Sequence, residues 1–325
     1  MIEGFLRRLN KAAKSCFGKI NGVLDLKFGV FLYQPEPVEG VDYNFYRQKS
    51  ESGIVGKVNP QMYTNIAVFG DNNMAAQRPD WVSVSGFGPA LRTNKRFNLR
   101  WDVVCMTNPE AREYNLKIIK ESAKLSPGIS ISSQHFADQG FCACPRCIAA
   151  QAKSGLSWVE WRAKTVTDFL AEVKEVVSGK PLFVNCLPDP MLGKERFGYD
   201  FDAMAQYADY FVIPMFSKGY PTPWYWETIA RGFKSVLKKP VFVNFYVRGP
   251  NETWETVAPT NQIMTVATRV ARQGVDGIIF LAEKAEYIQK FQKEAAADKE
   301  TREFLKGHGG DDVLELFARW EKLYQ

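Results

Sequence analysis

Three of the six cysteines fall within six residues, Cys142, Cys144 and Cys147 in the run FCACPRC. Thiolates are metal ligands, and a C-x-C-x2-C spacing lets several of them reach one ion. Pro145 fixes φ in the Cys-Pro-Arg-Cys turn, and backbone N–H groups of such a turn support the sulfurs. Tetrahedral zinc needs a fourth ligand. Cys105 follows an extended segment and precedes a helix, which makes it the leading candidate, with His135 the second. A zinc closed by four cysteines leaves no position for water and is structural. Free thiols, disulfides and an iron–sulfur cluster are the other readings, and the lack of a secretory signal argues against the oxidising compartment that disulfides need. Cys16 and Cys186 read as lone thiols, Cys186 within a strand. Ser132, His135 and Asp138 suggest a Ser-His-Asp triad, but three residues at one strand end rarely converge as one, and no Gly-x-Ser-x-Gly elbow is present.

These residues sit on a recognisable alternation. Short apolar, β-branched or aromatic runs occur at Phe28–Tyr33, Thr64–Phe69, Gly128–Ser132, Leu182–Leu187, Tyr210–Met215, Val241–Val247 and Gly277–Ala282. Continuous apolar strands of this kind belong to parallel sheets buried on both faces. Amphipathic helical patterns separate them at Pro109–Lys124, Ser157–Val177, Phe201–Ala208, Trp226–Leu237 and Thr260–Gln273. The expected fold is α/β, a (β/α)8 TIM barrel with terminal helices. Seven strands are clear; the eighth is expected near Leu99–Val104, unless the first is irregular or missing. A doubly wound open sheet is the runner-up, and the absence of G-x-G-x-x-G after the early strands counts against its dinucleotide-binding form. One domain is expected over residues 1–325, with an N-terminal helix in residues 1–24 and a hinge and helix over residues 307–325.

Composition narrows the class. The 325 residues are 46% hydrophobic and 24% charged, the balance of a globular protein, which excludes disorder and collagen-like fibre. No apolar run is long enough to span a bilayer. The net charge of +6 is modest and no block of five like charges occurs, so no nucleic-acid partner is expected. The basic start, Met1–Lys19, reads as the surface helix of a cytoplasmic protein rather than a signal peptide or a membrane-surface helix. Only two histidines occur, His135 and His308, which weakens any histidine-based metal site. Aromatic residues make up 14%, enough for a core and for ring-stacking platforms. A homo-oligomer is left open.

In such a barrel the chemistry sits at the C-terminal ends of the strands. Tyr220, Trp224, Tyr225 and Trp226 crowd the loop after the sixth strand. Rings there could serve as stacking platforms for a ligand, while Asn72, Asn73, Asn185, Asn244 and Arg248 are placed to hydrogen-bond it. The competing reading makes the same rings part of the core, as is expected for Trp158 and Trp161 on their helix.

Asp80–Val82, Trp101–Val104, Cys105–Tyr114 (CMTNPEAREY) and Gly128–Cys147 together resemble a group of barrel glycoside hydrolases. The cysteine spacing is similar to that of the zinc-bearing family 42 β-galactosidases. The fourth strand is closer to the glycosyl-hydrolase-like barrels related to that clan, and Asp202–Met215 is similar to their approach to the sixth strand. The resemblance spans roughly Arg78–Met215. It implies a carbohydrate or glycoside substrate and an acid on the fourth strand. At that position this sequence has Ser132, while a later aspartate of the family matches Asp138.

Glycoside hydrolysis needs two carboxyl groups flanking the bond. Asp138 after the fourth strand and Glu283 after the eighth are the expected pair, with Asp189 and Asp71 in reserve. Each could instead be a loop or helix-capping carboxylate; Glu283 and Glu286 could simply open the next helix, where the dipole favours anions. The rival to a hydrolase is a non-catalytic carbohydrate-binding or scaffold barrel that has lost its strand-four acid.

Overall fold

The computed structural model describes residues 26–96, 99–137, 142–306 and 311–325. Eight parallel strands close into a barrel: β1 (Lys27–Leu32), β2 (Tyr43–Lys49), β3 (Tyr63–Ala67), β4 (Ile129–Ser132), β5 (Leu182–Asn185), β6 (Tyr210–Met215), β7 (Val241–Arg248) and β8 (Gly277–Ala282). Each strand pairs with its sequence neighbours, and β1 pairs with both β2 and β8. The closed ring excludes the open doubly wound sheet.

The helices are α1 (Asn72–Gln77), α2 (Pro109–Leu125), α3 (Pro145–Ser154), α4 (Trp158–Val176), α5 (Gly193–Phe197), α6 (Phe201–Met204), α7 (Pro223–Val236), α8 (Thr260–Ala271), α9 (Ala285–Ala297), α10 (Lys299–Leu305) and α11 (Asp311–Leu323). Their starts follow local chemistry. Asn108 Oδ1 accepts from Ala111 N at 3.0 Å and Pro109 fills the first turn of α2. Ser157 Oγ does the same for Glu160 N in α4. The expected C-terminal helix is α11, which is packed into the body: buried Trp320 contacts the rings of Phe280, Phe291 and Phe317, and its Nε1 donates to Gly40 O at 3.1 Å. The expected N-terminal helix, Cys16, His308 and most of the hinge lie outside the described residues.

Two strand expectations are corrected. The first strand is regular, and the eighth member of the barrel is β2, between β1 and β3. Leu99–Val104 is not a barrel strand; Val103 and Val104 make single antiparallel bridges to Gly70 and Val82, so the segment lies over the end of β3. β2 was hidden because its C-terminal half reads Arg47-Gln48-Lys49. A bulge between Arg47 and Lys49 explains these residues: Arg47 faces the barrel interior, while Gln48 and Lys49 both turn outward against α2. There Gln48 Oε1 accepts from Ser122 Oγ at 2.7 Å, and Lys49 Nζ lies 6.0 Å from the Tyr114 ring.

The barrel interior is filled by rings. Phe31, Phe45, Phe183 and Phe242 pack with Val212, Ile279 and Leu281, and Tyr43, Tyr63 and Tyr210 join them. Phe183 stacks on Tyr210 at 4.3 Å and Phe31 on Phe45 at 4.9 Å. Such aromatic pairs add about 0.5–1.5 kcal/mol beyond the area they bury. Trp161 is buried beside Trp158 at 5.4 Å, in keeping with a core role for that helix.

Candidate carbohydrate site and cysteine centre

Alternate residues of each strand face the barrel interior. Followed toward the C-terminal ends, these inward positions change from rings to polar groups. Phe31 gives way to Tyr33, Phe45 to Arg47, Tyr63 to Asn65, Phe183 to Asn185 and Phe242 to Asn244. β4 supplies Ser130 and Ser132. The interior is therefore an aromatic plug below and a polar mouth above.

Part of that polar layer is internally satisfied. Asn185 Nδ2 donates to Ser130 Oγ and to Ile131 O, both at 2.8 Å, and Asn65 Nδ2 donates to Ser130 Oγ at 3.1 Å. Arg47 bridges Tyr33 Oη at 3.3 Å and Glu51 Oε2 at 2.5 Å, and Ser133 Oγ donates to Glu51 Oε1 at 3.4 Å. Gln134 Nε2 donates to Asn185 O at 2.5 Å, which lays its side chain over the end of β5. Gly70 must be glycine because a Cβ there would fall 2.7 Å from the Trp101 ring and 2.9 Å from Ser133 Oγ.

Other atoms of the same layer are buried without a partner: Arg47 Nε, Asn65 Oδ1, Trp101 Nε1, Ser132 Oγ, Gln134 Oε1 and Asn244 Oδ1. They comprise two donors, three acceptors and one hydroxyl. A buried polar group left unpaired costs about 1–3 kcal/mol, so a concentration of them at one barrel end marks a place where stability has been given up.

The structure places the candidate residues as follows. Asp138 lies outside the described residues. Glu283 directly follows β8 and is half-buried, its N–H donating to Arg248 O at 2.8 Å and its carbonyl accepting from Tyr33 N at 3.0 Å. Asn185 and Asn244 face the interior. Asn72 Oδ1 is taken by Asp102 N at 2.9 Å, and Asn73 Oδ1 by Gln77 Nε2 at 3.0 Å. Trp224 is exposed on the first turn of α7. Tyr220 is fully buried, and its hydroxyl accepts from Tyr246 N at 2.7 Å, so it supports the loop from beneath and is not an exposed platform. Arg248 packs against the rings of Trp254 and Tyr287, at 4.9 and 4.0 Å, and its Nε donates to Glu252 O.

Neither reserve acid is set up for catalysis. Asp71 is paired with Lys49 and caps α1 by accepting from Met74 N at 2.8 Å. Asp189 accepts from Met191 N and Leu192 N and pairs with Arg196 at 2.6 Å. Burial would raise the Asp189 pKa, but those N–H groups and the guanidinium together hold it below the usual carboxylate range. The residues the sequence reading missed are Tyr33, Arg47, Glu51, Asn65, Ser130, Gln134 and Tyr246. All but Ser130, Gln134 and Tyr246 lie on or beside the first three strands, whose register depends on recognising β2.

The cysteine expectation holds as geometry. The Sγ atoms of Cys105, Cys142, Cys144 and Cys147 all lie within 4.8 Å of one another, and none is in a disulfide. Cys105 Sγ is 3.5 Å from Cys147 Sγ and 3.9 Å from Cys144 Sγ. A tetrahedron with metal–sulfur bonds of about 2.3 Å has edges of about 3.8 Å, so the cluster could hold a metal ion. Thr107 Oγ1 lies 3.1 Å from the sulfurs of both Cys105 and Cys147, positioned to support thiolates. Hydrogen bonds from Cys105 and Cys147 pull the Cys142 thiol down to about 4, while the hydrogen bonds that Cys144 and Cys147 make to Cys105 push those two thiols up. His135 is not the fourth member; its ring packs on Phe197 and Tyr199, with Nδ1 2.7 Å from Phe136 O. The centre joins the loop after β3 to the start of α3, and Ala143 N donates to Val84 O beside it.

No protein-family model matches the sequence, and no curated protein matches it. Solved structures do. The α-L-fucosidase isoenzyme 2 from Paenibacillus thiaminolyticus superposes on 84% of this chain and 50% of its own, with a TM-score of 0.55 at 11% identity. The β-galactosidase from the psychrophilic Marinomonas ef1 covers 90% of this chain and 62% of its own, with a TM-score of 0.51 at 9% identity. A family 42 β-galactosidase from G. stearothermophilus covers 79% and 51%, with a TM-score of 0.50 at 11% identity. The chain has the barrel fold of these glycosidases. It spans half to about three-fifths of their length, and fold alone does not carry function. No described helix is long and apolar enough to cross a membrane.

Proposed function

We propose that this chain is a carbohydrate-active barrel that binds a glycoside in its C-terminal mouth and hydrolyses it. The observation that carries the reading is the set of six buried, unpartnered polar atoms at the mouth. Their mixed character suits a polyhydroxylated ligand, because each sugar hydroxyl both donates and accepts. An anion would want donors only, and an apolar ligand would leave every one of them unpaired. In this reading Glu283 supplies one carboxyl group and Asp138, from the segment that follows β4, supplies the other. Glu51 is committed to Arg47 and Ser133, and Glu252 to Lys218 at 3.1 Å, which makes them orienting groups. The cysteine centre holds zinc and is structural, since four thiolates leave no open position.

The test is turnover of a panel of aryl glycosides and oligosaccharides by the wild type, Glu283→Gln and Asp138→Asn. Removing an acid–base group lowers turnover by at least about a hundredfold. Full activity in either variant rejects the role given to that residue.

A second reading has its own observation. Ser132 stands where the resembling barrels carry an acid, and a serine cannot serve as that acid. A barrel that keeps the sugar site without the reaction would bind ligand, seen as tryptophan quenching, and release no product.

A further inference from the structure

We infer that the ligand is an oligosaccharide chain laid across the rim, not a single sugar residue held in the mouth. The inference rests on the carbohydrate reading and extends it. Large apolar side chains crowd the C-terminal rim: Ile54 after β2, Phe87 in the β3–α2 connection, Met191 after β5, and Phe216, Trp224 and Tyr225 after β6 are between 42% and 79% exposed. Leaving such groups in water forfeits apolar burial, and a cluster of them on one face marks a contact surface.

The β6 side shows what would cover that surface. Its exposed members are all rings; Phe216 and Tyr225 connect inward to the mouth, and Trp224 stands beside Tyr225 on the first turn of α7. Phe216 lies 5.5 Å from the Tyr246 ring, and Tyr246 stands two residues beyond Asn244 on the inward face of β7. Tyr225 packs edge-on against Trp226 at 5.2 Å, and Trp226 against buried Tyr220 at 5.5 Å. The rings are held in advance. Tyr220 adopts a left-handed φ of 43°, its N–H donates to Ser217 Oγ at 3.1 Å, and Gln262 Nε2 donates to Gly219 O. Lys218, on the same loop, is tied to Glu252.

An aromatic strip that runs from solvent into a layer of unpartnered donors and acceptors matches a sugar chain in both respects. The apolar faces of successive sugar rings stack on the strip, and the hydroxyls of the terminal or cleaved unit meet the polar atoms. A protein partner would use the apolar rim but has no need of the polar layer beneath it.

Calorimetric binding of β-1,4-linked gluco-, galacto-, manno- and xylo-oligosaccharides, one to six units long, tests this with the wild type, Trp224→Ala and Phe216→Ala. A stacking ring is worth about a threefold to tenfold change in affinity. The expected result is affinity that climbs with length for one series. The two variants, folded as judged by circular dichroism, should flatten that climb while leaving monosaccharide affinity unchanged. Equal affinity for one unit and six overturns the extended chain and leaves the carbohydrate site standing. A length dependence untouched by both variants also overturns it. No binding at any length in any series overturns both readings. Loss of a dimer on Trp224→Ala, seen by sedimentation, would instead assign the rim to contact between copies of the chain.

Discussion

Lys49 Nζ lies 2.8 Å from Asp71 Oδ2, and the two side chains are 0% and 2% exposed. The ammonium also donates to Ala67 O at 2.5 Å. Asp71 spends its other oxygen capping α1, whose Asn72 in turn holds Asp102 N. The pair therefore fastens the loop after β3, and the segment bearing Trp101, to the outer side of β2. Lys49→Met leaves a buried carboxylate without its counter-ion, which costs about 3–5 kcal/mol. Adding Asp71→Asn removes the stranded charge and keeps an N-cap oxygen, so the double variant should recover much of the loss. Urea denaturation checks both. A Lys49→Met protein as stable as wild type would show that the pair does not fasten the loop.

A second prediction concerns the four sulfurs. Metal analysis of protein prepared without chelator should find about one zinc per chain, the stoichiometry of a four-thiolate site. Cys144→Ser should lower that content and the thermal midpoint together, because a bound structural metal contributes to folding free energy. Unchanged metal content and midpoint in Cys144→Ser would rule out a metal centre built from these four residues.

Where the sequence succeeded and failed has a physical pattern. Strands buried on both faces, such as Leu182–Asn185 and Gly277–Ala282, announce themselves as apolar runs. The cysteine cluster was legible because ligand spacing is local, and only Cys105 had to be brought from 37 residues before Cys142. β2 was not legible, because its polar residues are accounted for only by tertiary partners: Arg47 by Glu51, Gln48 by Ser122, Lys49 by Asp71. The same non-locality hid most of the mouth. Tyr220 shows the converse error, a ring in an aromatic loop that the fold uses as an internal prop.

Acid should weaken the loop after β5 in a predictable direction. The Asp189 pKa is held below its ordinary value, so the carboxylate stabilises the folded state above the unfolded value near 4. That stabilisation is lost as pH falls through the folded pKa. Asp189→Asn removes it at every pH. The difference in thermal midpoint between wild type and variant should be largest near neutrality and shrink toward pH 2. A difference that stays constant over that range would mean the side chain acts through its shape and neutral hydrogen bonds alone.

Asn244 offers the sharpest separation of stability from binding. The residue is 2% exposed, its side chain faces the barrel interior, and its Oδ1 has no partner. A ligand hydroxyl that donates to this oxygen would repay the desolvation that folding leaves uncompensated. Asn244→Leu replaces the amide with an apolar group of similar volume beneath the mouth. Since an unpaired buried polar group costs about 1–3 kcal/mol, the variant should be more stable than wild type by about 1 kcal/mol after some loss of packing fit. It should also bind the oligosaccharides more weakly, having lost an acceptor made only for the ligand. Chemical denaturation and calorimetry on the same preparation read both effects. Higher stability with undiminished binding would detach Asn244 from the site. Lower stability would mean that water or a neighbour already satisfies the amide, and would remove it from the six atoms on which the carbohydrate reading rests.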